Sequence, residues 1–332
     1  MGASQILYEA GQTSNAFEAL TDSSDQTTFE ATFSPLSNKS GYEPVVGPYG
    51  LVTGGAITPN TGTDDSVTVA ALTAMMPGAT GASATTGIVS VSSGNVAITR
   101  GLTTDTHNIT SITVNSSGAL AAVAGTDNTA FSDTRGAAGG PPLIPDGSIE
   151  IGQVRTTSVS AADVLTTEIY QVIGTHQERY DYPPYSVNYA TGEVTFAVAL
   201  PTIHTGSIPK QVHMRGYTPI FSPIQYASDW VPAEATYSIS STATYDGPVG
   251  SSSSALGQGS FTVYNLTDGI SDAFLTQKGE EVWVKFNPDR DQSTKYQLTL
   301  GVLGVSRTFA ADGSKSASVT VTPRTETTDV AA

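Results

Sequence analysis

The sequence contains no cysteine. Disulfide frameworks, thiolate-bound zinc and thiol nucleophiles are therefore excluded. Charge is scarce too: Asp, Glu, Lys and Arg make up 13% of the 332 residues, against about 25% in an average globular chain. Basic residues are the scarcest part, 14 against 30 acidic ones, for a net charge of −16. That excess opposes tight wrapping of nucleic acid, which needs clustered Lys and Arg. No window approaches the roughly 18 apolar residues of a membrane-spanning helix. The opening MGASQILYEAGQTSN has no basic or apolar run, so no cleavable signal peptide is expected. Ile6 stands where a myristoylation signal carries Ser or Thr. The sequons at Asn108 and Asn265 are accordingly read as fortuitous.

Ser, Thr, Gly and Ala fill the space left by charge. That composition suits strands with hydroxyl-covered faces and many turns. Residues 1–50 read as an N-terminal arm with one or two strands. Residues 51–134 are small residues, Thr and Val/Ile, with Arg100 the only basic residue, and read as a small all-β domain. Within it, VSVSSGNVAI and ITVNSSGALAAV both predict hairpins, turning at Ser93-Gly94-Asn95 and Ser117-Gly118. ALTAMMPG predicts a helical turn ending near Pro77. The segment RGAAGGPPLIPDG (135–147) is the best boundary, either a flexible linker or a structured loop wedged between domains. Residues 148–332 return to strands, with VNYATGEVTFAVAL the clearest hairpin and Gly192 suited to a left-handed turn. SSSSALGQGS (251–260) reads as a flexible loop. One helix is expected near 268–278, capped by Asp268 and closed by Gly279. The fold class is therefore all-β with one or two short helices: a β-sandwich or barrel core plus a small additional β-domain.

A search for chemistry returns little. His107, His176, His204 and His213 fit no metal-ligand spacing and read as packed or surface residues. Asn287-Pro288-Asp289-Arg290-Asp291 opens like a calcium loop, but Gln292 and Leu298 stand where that loop needs Gly and Glu. A turn is expected there. Asp64 and Asp65 are adjacent, so on a strand they would point to opposite faces. No nucleophile elbow, phosphate loop or dinucleotide fingerprint occurs. Trp283, in EVWVKF, is expected in the core, and RYDYPPY is the only aromatic-rich stretch. No catalytic, cofactor-binding or metal-binding residue is assigned. The chain is read as a structural protein rather than an enzyme.

Three stretches carry a family likeness: LYEAGQTSNAFEALTDSSDQTTF, RGAAGGPPLIPDGSIEIGQVRTTS and YQLTLGVLGVSRTFAADGSKSASVTVTP. They resemble the major tail proteins of long, non-contractile-tailed bacteriophages, the transposable siphophages most closely. The resemblance implies a virion tail protein, synthesised in the host cytoplasm. Homohexameric rings would stack into a tail tube that conducts DNA during ejection. Implied partners are other copies of the chain, the tape-measure, tail-terminator and distal-tail proteins, and passing DNA that does not adhere, with no membrane contact. On that analogy residues 148–332 form the tube domain and 51–134 an accessory insertion. Glu280, Glu281, Asp289 and Asp291 become candidates to line the lumen. Three alternatives stay open: a capsid decoration or minor virion protein, a carbohydrate-binding adhesive module with RYDYPPY as platform, and a β-rich hydrolase.

Overall fold

The computed structural model describes residues 3–34, 36–76, 87–266, 272–292, 294–311 and 313–330. The protein is all-β. Its helical elements among those residues are three short 3-10 turns, Thr166–Glu168, Thr205–Ser207 and Ala273–Gln277. The expected helix near 268–278 is thus a single 3-10 turn over its described part; Asp268 lies outside the described residues. Gly279 does follow the turn in a left-handed conformation, φ +84°.

The chain divides into two compact units. One comprises Met1–Ser14, Pro35–Glu43 and Tyr217–Ala332; the other comprises Asn15–Ser34 and Pro44–Gly216. The first is built on an eight-stranded sheet. Its path runs Tyr217–Pro223, Gln5–Ser14, Glu281–Asn287, Tyr296–Thr308, Ser316–Pro323, Gly259–Tyr264, Ala227–Val231, with Thr328–Val330 pairing beside Tyr296–Thr308. The two end strands of the path are joined by residues 224–226 alone. Three residues and their flanking bonds reach about 14 Å at most, whereas six strand spacings in a flat sheet need about 29 Å. The sheet must therefore curl back on itself. Period-two alternation supplies the interior: Ser316–Pro323 buries Ala317, Val319 and Val321 in turn. They meet Ile6, Tyr8, Phe261, Val263, Val282 and Val284 in one core.

The other face of this sheet carries Trp283, Leu298 and Leu300 beneath Phe221 and Tyr296, and Trp283 is buried as the sequence predicts. The Lys285 ammonium sits 3.8 Å from the Tyr296 ring centroid. On the same sheet the buried Glu9 carboxylate accepts from Gln12 Nε2 (2.8 Å) and the Trp283 backbone N–H (3.1 Å), and pairs with Lys39 (3.4 Å). That ion pair fastens 36–43 to the sheet. A buried carboxylate is tolerated because every contact it makes is a donor.

The second unit places two three-stranded sheets and one four-stranded sheet around a common core. Strand Asn108–Asn115 is its centre, paired on one side with Leu120–Ala124 and on the other with Ser148–Thr156. This arrangement differs from the along-chain division expected from composition. The 135–147 segment separates no units. It is a structured loop between two strands that flank the same neighbour, held by Arg135 Nη1 to the Pro142 carbonyl (2.6 Å) and Gly139 N–H to the Thr126 carbonyl (2.7 Å). Ile149, Ile151 and Val154 complete the core formed by Val67, Val69, Ile112 and Val114. Burying those three is worth on the order of 5–9 kcal/mol. That is comparable to the net stability of a whole domain, and 51–134 shares its core with 148–156 inside one compact unit.

Two of the three predicted hairpins form. Leu120–Ala124 folds back on Asn108–Asn115 through a turn with Gly118 at φ +82°. There the Asn115 side chain accepts from the backbone N–H groups of Ser117 (3.0 Å) and Ala119 (2.9 Å). Tyr185–Asn188 pairs with Glu193–Phe196 around Gly192, φ +81°. The third does not form: Ile88–Val91 pairs with Leu72–Met75, whereas Gly94–Ala97 pairs with Ser66–Val69 in a different sheet. Gly94 is not left-handed, so the chain passes straight from one sheet to the next. Leu72–Met75 is itself a strand rather than a helical turn, and Pro77 lies outside the described residues.

Candidate assembly surface

The largest departure from expectation is at 235–256. Residues 251–256, expected as loop, are strand. Ala235–Thr244 and Gly247–Leu256 form a ten-pair antiparallel ribbon with no third strand among the described residues. At about 3.4 Å per residue it is about 30 Å long. Its base is tied down: Ala233, fully buried, exchanges hydrogen bonds with Thr327 through its N–H and its carbonyl, each 2.8 Å. Gly257 N–H donates to the Glu234 carbonyl (2.9 Å) and closes the ladder below the ribbon.

The ribbon has two unlike faces. One carries hydroxyls, with Ser240 and Ser251 Oγ 2.8 Å apart. The other carries Tyr237 and Ile239, which face Ser254 and Ser252 across the ladder, with Leu256 opposite Ala235. Tyr237 is 75% exposed and Ile239 85% exposed. Tyr245 at the tip and Val249 are exposed as well. Asp246 is the only charged residue between Glu234 and Asp268. Soluble proteins protect open sheet edges with charge, proline, bulges or short length. Along most of this ribbon those devices are missing, and a lone two-stranded hairpin is at best marginally stable in water. The ribbon is thus nearly uncharged, exposes Tyr237 and Ile239, and has two edges open among the described residues.

The residues singled out in the sequence do not converge. Glu280 and Glu281 stand at the start of strand Glu281–Asn287, Asp289 and Asp291 beyond its end. The pairs are thus separated by about 20 Å of strand. Glu281 is paired with Arg324 (3.3 Å). Asp289 accepts from the Asp291 N–H (3.0 Å) inside the expected turn. They form no single charge cluster within one chain. Asp64 is exposed, whereas Asp65 turns away, at φ +53°, to pair with Arg100 Nε at 2.5 Å. Arg100 also donates to the Ala162 carbonyl (3.0 Å), so it ties two loops together.

The histidines are packed. His204 is buried with Nε2 3.0 Å from the Ser148 carbonyl, and His213 stacks on Tyr49. Burial holds His213 below the usual imidazole range. Among the described residues no group of three His, Asp or Glu converges on a cation-sized site. In RYDYPPY, Tyr182 is half exposed beside a cavity of about 190 Å³. The charged groups there are already engaged: Lys210 with Glu178 (2.8 Å) and Arg179 with Asp181 (3.0 Å).

Sequence reading missed one polar cluster. Glu150 is buried and accepts from Ser111, from Gln153 Nε2 (3.0 Å) and from the Arg135 guanidinium. Burial pushes its carboxyl above the usual range, and Arg135 pulls it back. The available signal was Glu150 between the apolar Ile149 and Ile151.

No protein-family model matches the chain, and no curated protein matches it. The functional reading therefore rests on the molecule's own surfaces and on the likeness carried by its sequence.

Proposed function

We propose that the protein is a self-assembling structural subunit of a phage virion, forming hexameric rings that stack into the tail tube of a long, non-contractile-tailed phage. The observation that carries the reading is the ribbon 235–256: long, nearly uncharged, with Tyr237 and Ile239 exposed on one face and both edges open among the described residues. The partner that completes it is a second copy of the chain. Covering Tyr237, Ile239, Leu256 and the open edges would turn a marginal hairpin into part of a continued sheet. The charge balance suits a conduit: 14 basic against 30 acidic residues give passing DNA few sites to adhere to. The ring number and the tail location come from the sequence resemblance; assembly as such comes from the ribbon.

The test is negative-stain microscopy with light scattering, on the full chain and on a variant in which 236–255 is replaced by Asn-Gly, a two-residue turn that preserves the base. The full chain is expected to form six-fold rings or hollow tubes wide enough for duplex DNA. The shortened chain is expected to stay folded and fail to assemble. A full chain that remains monomeric under all assembly conditions, or a shortened chain that assembles equally well, overturns the proposal. Closed trimers without a bore would favour a capsid decoration protein instead.

A further inference from the structure

The second unit contains a cavity of about 290 Å³ lined by Asp133, Arg135, Pro141, Arg155, Thr175 and His176. Its cations are unequal. Arg135 is matched by the buried Glu150. Arg155, among the described residues, has no carboxylate within ion-pair distance, although the unit around it carries 16 acidic residues against 6 basic ones. Its guanidinium lies 4.5 Å from the Tyr170 ring centroid, and Nη2 reaches Gln153 Oε1 and His176 Nε2, each at 3.1 Å.

These contacts fix the histidine. Arginine can only donate, so His176 Nε2 must accept and the ring proton sits on Nδ1. Burial and the two guanidiniums hold the imidazole below its usual range, which keeps it neutral at pH 7. Two buried donors are then left over: Arg155 Nε and His176 Nδ1 have no acceptor among the described residues. An unsatisfied buried donor costs on the order of 1–3 kcal/mol and calls for a reason. The Thr175 hydroxyl adds another donor at the exposed rim. Asp133 is the one carboxylate in the lining, and it is exposed, where water screens it.

We infer that the Arg155–His176–Thr175 cavity is an oxyanion site, taking a carboxylate or a phosphate group. The Arg155 guanidinium carries a positive charge that no carboxylate matches, and either group would balance it. A neutral polyhydroxy ligand would need acceptors as well as donors, and here the donors predominate. The source of the oxyanion is either a small free molecule or an acidic side chain of a second copy. The site does not depend on the assembly reading, because it is complete within one chain.

The experiment follows the His176 ring signals by NMR in the unassembled, histidine-labelled chain. Inorganic phosphate and acetate are added separately at fixed ionic strength, with chloride as the balancing anion. His107, His204 and His213 serve as internal controls. The His176 signals are expected to move saturably in the millimolar range while the controls stay still. Arg155→Gln should weaken that response at least about tenfold. Arg155→Lys, which keeps the charge and loses the guanidinium contacts that place it, should weaken it by a smaller factor and covers the case in which Arg155→Gln does not fold. Phosphate binding about tenfold tighter than acetate assigns a free phosphorylated molecule; equal binding assigns a protein carboxylate. If neither anion moves His176, or if both Arg155 variants respond like the parent chain, the inference is overturned.

Discussion

Two hairpins in this molecule are built from similar local material and end in opposite environments. Asn108–Asn115 with Leu120–Ala124 is rich in Thr, Ser, Val and Ile, and all but the last residue of its first strand are buried. Ala235–Thr244 with Gly247–Leu256 is also Ser, Thr and aliphatic, yet nine of the ten residues in its first strand are exposed. The first is flanked by Ser148–Thr156, which covers its second edge. The second has no such neighbour among the described residues. Both pair as antiparallel strands, whereas burial depends on whether the same chain supplies the covering layer. The difference teaches that pairing two strands does not by itself bury them: the ribbon has no third strand among the described residues.

The comparison can be broken first on its buried side, where the effects are largest. Arg135→Met leaves Glu150 beneath Ser111 with no cation to balance it. A loss of about 4 kcal/mol at neutral pH is expected from urea denaturation, since a buried charge is stranded. The loss should also depend on pH. With its carboxyl raised in the folded state, Glu150 binds a proton there more readily than in the unfolded chain. Stability of the variant should therefore fall by up to about 1.4 kcal/mol per pH unit as pH rises above the ordinary Glu range. A pH-independent loss would show that Glu150 stays ionised without Arg135.

Next in size is Ile112→Ala, in the middle of the buried strand and fully enclosed. A cavity at that site should cost roughly 3 kcal/mol in the same assay. The matching change on the ribbon, Ile239→Ser, should alter stability of the unassembled chain by less than about 0.5 kcal/mol. It should nonetheless raise the concentration at which light scattering detects assembly. Equal destabilisation by the two substitutions would mean that the ribbon is covered within its own chain, and would remove the contrast.

The same contrast explains what was legible in the sequence. Turn chemistry is local, so Asn115, Gly118 and Gly192 announced their hairpins. Ser92-Ser93-Gly94 carries nearly the same letters as Ser116-Ser117-Gly118, but Val91 and Val96 find partners in different sheets. No local signal distinguishes a turn from a crossing between sheets. The pairing of Asn108–Asn115 with Ser148–Thr156 was hidden because alternation marks a strand and not its neighbour. The Gly/Pro composition of 135–147 then suggested a boundary that long-range pairing overrides. Residues 251–256 looked like a loop because four serines give no apolar alternation, and only the facing strand 235–244 makes them a ladder. Of the residues proposed for the lumen, the sequence supplied charge but no placement, since lining a bore is a property of several chains together. Arg155 and His176 were invisible as a pair: twenty-one positions apart, they meet only through the fold.

The root of the ribbon has a mechanical consequence. Its two strands continue, through short links, into Ala227–Val231 and Gly259–Tyr264, and the latter is hydrogen-bonded along six paired residues to Ser316–Pro323. Antiparallel ladder bonds lie across the strand direction. A tug delivered at the end of Gly259–Tyr264 and directed along it therefore loads those bonds in shear, all at once, instead of unzipping them singly. A grip on the ribbon by a neighbour would thus be anchored in the six-pair ladder of the eight-stranded sheet, and tension between subunits would be shared across it.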